Sequence, residues 1–379
     1  MYKIKHKNKK IEELYVLRGV AILGVLMVHS TSSVIVDLAG TSSLYPLYNF
    51  LNRFFAFGTA TFIFLSAFVL FYSYYHRPLN KKLIKRFYLN RMKFVFLPYF
   101  VFSVFYFIIV VYPFQQHSSL AAVAEVFLIR LATGKAYDHL YFIFVNFQFY
   151  LLFPFILWLF KKNRAFVKHG LWVGFLLQWA FVFFNSYYLQ LTVGTGSIAF
   201  SYMSNYFLGA FAGVYYDQLR EWLKGWKASL LGVLWLVFGN AYVWIYYLLR
   251  TDKIHYDAKL YTLLWNLYTY TSALALFLFS FWLYKKLSKQ HISRLIHLGY
   301  SSFGIYLFHP LVLRFYRKIN FSGNTWLYHA SIYFGFACAL FISWFVVGIV
   351  SKYIPCGWVI FGRGPKHLSQ KNRFRSIKI

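Results

Sequence analysis

Polar and apolar positions along this chain alternate in long blocks, not with the short periods of an amphipathic helix or a half-buried strand. Ten stretches stay apolar for about 20 residues, the length a helix needs to cross a bilayer. They run over 13–36, 49–75, 93–113, 138–160, 166–185, 197–216, 228–249, 261–284, 297–317 and 327–352. Only the mildly polar segment 191–197 separates the fifth from the sixth. Segment 118–132 is amphipathic and too short to span, so it is expected at the interface or as a re-entrant piece. No heptad, low-complexity tract or solenoid period interrupts the pattern. The pattern predicts an all-α integral membrane protein of about ten transmembrane helices. It divides into a basic N-terminus (1–12), one membrane domain (13–353) and a basic tail (354–379).

Composition and charge sharpen this picture. The chain is 60% hydrophobic and 13% charged, against about 45–50% and about 25% in soluble proteins. Disorder and collagen-like structure are excluded, and a soluble enzyme fits poorly. The 40 Lys and Arg against 9 Asp and Glu would suggest a nucleic-acid binder if the chain were soluble. Their positions decide otherwise. Segments 1–10, 76–93, 161–169, 217–227, 285–297 and 362–379 hold 29 of the basic residues. The alternate loops, near 37–52, 114–137, 186–196, 250–260 and 314–326, hold 8. Arg18, Arg53 and Lys352 lie inside or beside the apolar stretches. Basic residues concentrate on the cytoplasmic side of membrane proteins, so both termini are expected in the cytoplasm. No nucleic-acid partner is implied; membrane lipid is. Arg18 and the length of the first apolar run argue against a cleaved signal peptide, leaving a first transmembrane helix in a plasma membrane. Cys338 and Cys356 support no disulfide framework and read as packing residues.

Ionisable groups within apolar spans are costly, which makes them candidates for function. Arg18 and His29 are eleven residues apart on the first span. That spacing puts them on one helix face about 16 Å apart. The structural alternative is a snorkelling arginine and a hydrogen-bonded core histidine. The basic run from Arg77 through Lys81, Lys82, Lys85 and Arg86 to Arg91 and Lys93 suits phosphate groups, and suits ordinary topology and anionic lipid equally. Arg91 is nearest to a buried site. On the fourth span, His139 and Tyr150 are expected to share one face, and Tyr141 and Gln148 another. An interfacial aromatic belt is the alternative for the two tyrosines. On the ninth span Ser302 and His309 share a face, near Ser301 and Tyr306. His309 precedes Pro310, so it either orients a substrate or satisfies a carbonyl that the proline frees.

Other chemistries lack their residues. There is no Walker-type loop, His-Glu-x-x-His, CxxC or Gly-x-Ser-x-Gly, and nine acids make a glycosidase pair a poor fit. No metal site is expected.

The residues resemble acyltransferase family 3, the integral-membrane acyltransferases, over about residues 11–352. An arginine, ten residues and a histidine (Arg18 to His29) resemble that family's opening pattern. Thr61-Phe62-Ile63-Phe64-Leu65-Ser66-Ala67-Phe68-Val69-Leu70 is similar to its second-helix motif, and Arg91 through Pro98-Tyr99 to its third-helix entry. His139-Leu140-Tyr141-Phe142 and Gln148 through Pro154 resemble its fourth-helix signature. Tyr206-Phe207-Leu208-Gly209-Ala210 and Ser302 through Pro310 are similar to later motifs. Three positions depart: Ala67 where glycine is usual, Tyr141 where tryptophan is common, and Phe94 where a second arginine often stands.

The resemblance implies transfer of an acyl group, acetyl first among them, from cytoplasmic acyl-CoA to a hydroxyl of a bacterial cell-surface or lipid-linked glycan. It implies Arg18, Arg91 and Arg86 as ligands of the donor phosphates. His29 would be the general base or a transient acyl carrier. Ser66, His139, Tyr141, Gln148, Tyr150, Tyr306 and His309 would line or support the acceptor path. Acyl-CoA would be a co-substrate, with no bound cofactor and no metal. Many relatives carry an extracytoplasmic SGNH domain; this chain is expected to act alone or with a separate extracytoplasmic transferase. The competing expectation is a carrier that exports a polysaccharide or lipid-linked sugar. It lacks the paired broken helices and inverted repeat common in secondary carriers.

Overall fold

The computed structural model describes residues 11–38, 42–115, 119–191, 194–251, 253, 258–319 and 325–364. The basic N-terminus up to residue 10 and the tail from 365 lie outside the described residues. Among the described residues there is no β-strand, and the protein is an all-α, multi-pass membrane protein.

Each long apolar block becomes helical, because a backbone in lipid must satisfy its own polar groups. The first is α1 (Glu13–Asp37). The second breaks into α2 (Tyr45–Phe54) and α3 (Gly58–Tyr74). Next come α4 (Lys81–Arg91) and α5 (Leu97–Tyr106), joined without interruption by a π turn at Met92–Phe96. Asn80 caps α4 by accepting the Leu83 N–H at 2.8 Å. Pro98 has no N–H to give the Phe94 carbonyl, and the wider π turn carries the helix past that defect. Helix α6 (Leu120–Thr133) is the amphipathic segment; it buries none of its residues completely, and its predicted first residue, 118, is not described. It ends at Gly134, in the left-handed region at φ 72°.

The chain continues through α7 (Tyr141–Lys162), α8 (Arg164–Lys168), α9 (Gly170–Phe184), α10 (Met203–Val214) and α11 (Tyr216–Trp222). The last long helices are α12 (Trp226–Arg250), α13 (Ala258–Lys286), α14 (Lys289–Tyr316) and α15 (Thr325–Tyr353). A short α16 (Gly357–Phe361) follows. Among the described residues, seven helical segments are long and apolar enough to cross a membrane. The stretches predicted at 166–185, 197–216 and 297–317 are helical too. The first two form shorter α-helices extended by π or 3-10 turns, and the third lies in α14, whose first turns carry Lys289 and Arg294.

Two close backbone contacts organise the bundle. Helices α1 and α14 touch at Gly19 and Gly299. A Cβ on Gly19 would sit 2.9 Å from the Leu295 carbonyl, and one on Gly299 would collide with the Tyr15 carbonyl. Helices α3 and α10 meet at Gly209 and Gly213, where a Cβ would strike the carbonyls of Phe64 and Phe68. This is the small-residue spacing that lets transmembrane helices approach, since packing and not hydrophobicity drives their association in lipid. Ten residues beyond Gly19 and Gly299, the His29 and His309 rings again meet, so the two helices run parallel. That is what the alternation assigned to the first and ninth stretches requires.

Aromatic side chains fill the space around these contacts. Phe71, Phe87, Phe149, Phe153 and Tyr206 are all 2% exposed or less and form one continuous cluster. Cys338 is half-buried, whereas Cys356 is exposed because it lies in the turn before α16 and not within the packed stretch that sequence suggested.

The α1–α14 contact is open to test. Gly299→Leu is expected to cost about 3 kcal/mol, the upper end of overpacking penalties. The measure is the melting temperature of purified protein in detergent. Gly232, with nothing within 4 Å of a Cβ, is the matched control and should tolerate Leu.

Candidate active site

Three imidazoles from separate parts of the sequence meet at the end of the bundle remote from α4. The His29 and His309 ring centroids are 5.0 Å apart, and His309 and His139 are 5.8 Å apart. Exposure differs sharply among them. His139 and His309 are buried, at 1% and 0%, while His29 is only half-buried. His29 is therefore the most exposed of the three imidazoles, with the His309 ring against it.

Hydrogen bonds fix what each ring offers. His309 Nδ1 lies 3.0 Å from the Ile305 carbonyl, so Nδ1 carries the proton and donates. Its Nε2 is then the basic nitrogen, and it is buried without a hydrogen-bond partner. The carbonyl that Pro310 frees is that of Tyr306, four residues before it, so this bond to Ile305 is not the one the proline alternative called for, and Nε2 stays available. Neither ring nitrogen of His139 makes a hydrogen bond of good geometry, although the Leu307 carbonyl lies close to the ring. Buried polar atoms are nearly always paired, and leaving one unpaired costs about 1–3 kcal/mol. Three such nitrogens, from His139 and His309, lie together here.

The surrounding tyrosines hold the cluster. Tyr306 donates its hydroxyl to the His139 carbonyl, and Tyr106 donates to the Leu307 carbonyl at 2.9 Å. Tyr106 also stacks on Tyr137 at 4.4 Å, and both rings lie against His139. His139 precedes α7 instead of sitting in it, because the chain is still turning after Gly134 and the helix starts only at Tyr141. The helical spacing expected between His139 and Tyr150 therefore does not apply. At the last turn of α14, Arg317 donates to the His29 carbonyl.

The second group lies at the basic end of the bundle. Arg18 stands over the Tyr15 ring at 5.6 Å, and Tyr15 packs on Tyr300 at 3.8 Å. Arg91 is half-buried, with its guanidinium 4.9 Å from the Tyr150 ring and 5.2 Å from Phe87. Its Nε is buried without a hydrogen-bond partner. Tyr150 thus sits under Arg91 and not beside His139. Arg86 is exposed one helical turn away. Arg363, which follows α16, donates to Asn90 Oδ1 at 3.0 Å and covers the Phe94 ring at 4.3 Å. Arg363 keeps an exposed side chain; partial desolvation, and then the positive charge of Arg91, hold its guanidinium below its ordinary pKa. Arg86 adds to this, while Tyr74 and Tyr15 oppose it. Among the described residues the one ion pair is Lys224–Glu221, so no carboxylate neutralises this group.

The remaining predicted residues have plainer surroundings. Tyr141 shares a 3.1 Å hydrogen bond with Thr59. Ser66 is half-buried seven residues along α3 from Thr59, on the same face. Gln148 uses both ends of its amide on the segment before α10: Nε2 donates to Ser197 O at 2.7 Å, and Oε1 accepts from the Ala199 N–H at 2.9 Å. Ser302 donates to its own helix at Gly299 O. Among the described residues, no three His, Cys, Asp or Glu side chains are arranged to hold a metal ion. Sequence reasoning missed Arg317, Arg363 and the buried, unpartnered Tyr206 hydroxyl near Arg91. Only Tyr206, within a quoted motif, gave a signal.

A family model described as an acyltransferase domain, that of acyltransferase family 3, matches residues 11–348. Among curated proteins, the chain is similar to the "Probable poly-beta-1,6-N-acetyl-D-glucosamine export protein" of Staphylococcus aureus strains MSSA476, MRSA252 and MW2. Each is 24% identical over 380 residues, covering 95% of this chain and 99% of the relative. No solved structure matches the chain.

The support around His139 is testable without substrate. Tyr306→Phe removes the donor to a buried carbonyl and is expected to destabilise the protein by about 1–3 kcal/mol. A melting temperature equal to that of the unaltered protein would contradict this role.

Proposed function

Because the chain belongs to acyltransferase family 3, we propose that it moves an acyl group from cytoplasmic acyl-CoA to a hydroxyl of a cell-surface or lipid-linked glycan. Acetyl is the simplest such group. The observation that carries the reading is the two-level arrangement on α1. Unneutralised arginines surround one end, and a half-buried histidine backed by buried histidines occupies the other.

The chemistry follows from these groups. Arg18 and Arg91, with Arg86 nearby, bind the donor's phosphates by charge-assisted hydrogen bonds. The distance of about 16 Å from Arg18 to His29 along α1 suits a donor whose phosphates and thioester are joined by an extended arm. At the other end His29 takes the proton of the acceptor hydroxyl. The freed oxygen attacks the thioester carbonyl, the carbon–sulfur bond breaks, and the CoA thiolate leaves and is protonated. His309, with its bare Nε2 behind His29, and His139 hold the base in place and share the added charge. A variant route attaches the acyl group briefly to His29 before the hydroxyl takes it. Neither route uses a metal.

The glycan acceptor is supported by the name of the staphylococcal relatives, which refers to a polysaccharide. That same name supports a second reading, in which the chain exports the polysaccharide. The buried polar groups suit passage of a sugar as well as catalysis.

One experiment separates the two. Purified protein with acetyl-CoA and glycan oligosaccharides should release free CoA and form an ester. His29→Ala should lower that rate by about 10²–10⁴-fold, the usual contribution of a general base, while the protein still reaches the membrane. Full transfer by His29→Ala would sink the mechanism. No CoA release by the unaltered protein, together with loss of surface glycan on deletion of its gene, would favour export.

A further inference from the structure

The sequence reading counted residue 363 with the basic tail, but the chain does not leave the bundle after α15. It turns back as α16, and Phe361 enters the core at 3% exposure. Its ring lies 5.8 Å from Phe102 and 6.2 Å from Phe308. Gly362 follows at φ 67°, a conformation glycine adopts without strain. No side chain fits there, since a Cβ would lie 2.6 Å from the Phe94 carbonyl and 3.1 Å from the Phe303 ring. The next residue is Arg363, fixed on the Phe94 ring and on Asn90, facing Arg91 and Arg86.

This placement is electrostatically unfavourable by itself. Arg91 and the exposed Arg86 and Arg363 lie near one another at the basic end, and among the described residues none of them forms an ion pair with a carboxylate. A cation that only marks topology has no need of a buried phenylalanine and a left-handed glycine to hold it in place. Arginine's planar fork matches phosphate oxygens two at a time, and several arginines on one diphosphate relieve their mutual repulsion.

We infer that Arg363, delivered by the α16 turn, completes a diphosphate-binding site with Arg91 and Arg86. The inference deepens the proposed function and rests on it for the identity of the ligand, the diphosphate of the acyl-CoA donor. A phospholipid headgroup offers related phosphate chemistry, so the test separates the two.

The test uses the full chain in neutral-lipid nanodiscs, with acetyl-CoA and inorganic pyrophosphate as probes. Arg363→Ala should weaken binding of both about tenfold or more, the scale of one lost charge-assisted hydrogen bond. Arg363→Lys should recover part of the loss, because charge returns without the fork. Lys289→Ala, which removes one cation from the same basic end, should bind both probes normally. Unchanged melting temperatures would show that the effect is on binding and not on folding. If the unaltered protein and Arg363→Ala bind both probes equally, the inference is overturned while the donor reading stands. If pyrophosphate binding depends on Arg363 but acetyl-CoA does not bind, the site stands and the acyl-CoA reading falls. If neither probe binds, and in parallel nanodiscs containing phosphatidylglycerol Arg363→Ala changes only the response to that lipid, Arg363 is a lipid contact and the inference is overturned.

Discussion

The candidate site depends on the parallel contact of α1 with α14. Where Gly299 meets the Tyr15 backbone, the two helices are as close as helices can be, because one side of the contact has no side chain. From Gly19 and Gly299, which face each other one turn on, each helix carries a histidine about 15 Å onward, ten residues at the helical rise. The His29 and His309 rings meet because the helices met earlier. The same contact brings Tyr15 against Tyr300, the platform beside Arg18. One steric fact thus sets the geometry at both levels of the protein.

Much of this was legible in the sequence. Blocks of apolar residues have one stable solution in lipid, so all ten predicted stretches fall on helices. His29, His139 and His309 stood out because imidazoles are rare in such surroundings, and the structure gathers them. Their convergence was not legible, since helical periodicity relates residues within one helix and says nothing about neighbours across the bundle. Periodicity also misled at its limits. It assumed that residues 138–140 were helical, and so paired His139 with Tyr150. The structure sends Tyr150 to Arg91 instead.

The residues missed share a cause. Arg317, at the C-terminal cap of α14, and Arg363, just after the short α16, sit in basic stretches where each reads as one more topology signal among many. Only three-dimensional packing distinguishes a tethered arginine from a solvated one. Phe94 illustrates this. The sequence shows an aromatic ring where a second cation was expected, and the fold brings a guanidinium onto that ring from the far end of the chain.

Phe361 has a consequence for biogenesis. It wedges between Phe102 and Phe308, side chains synthesised well before it. Chains emerge and fold progressively from the N-terminus during translation. The two rings that flank Phe361 are thus made before it, and its contacts are among the last that synthesis of the described residues makes available.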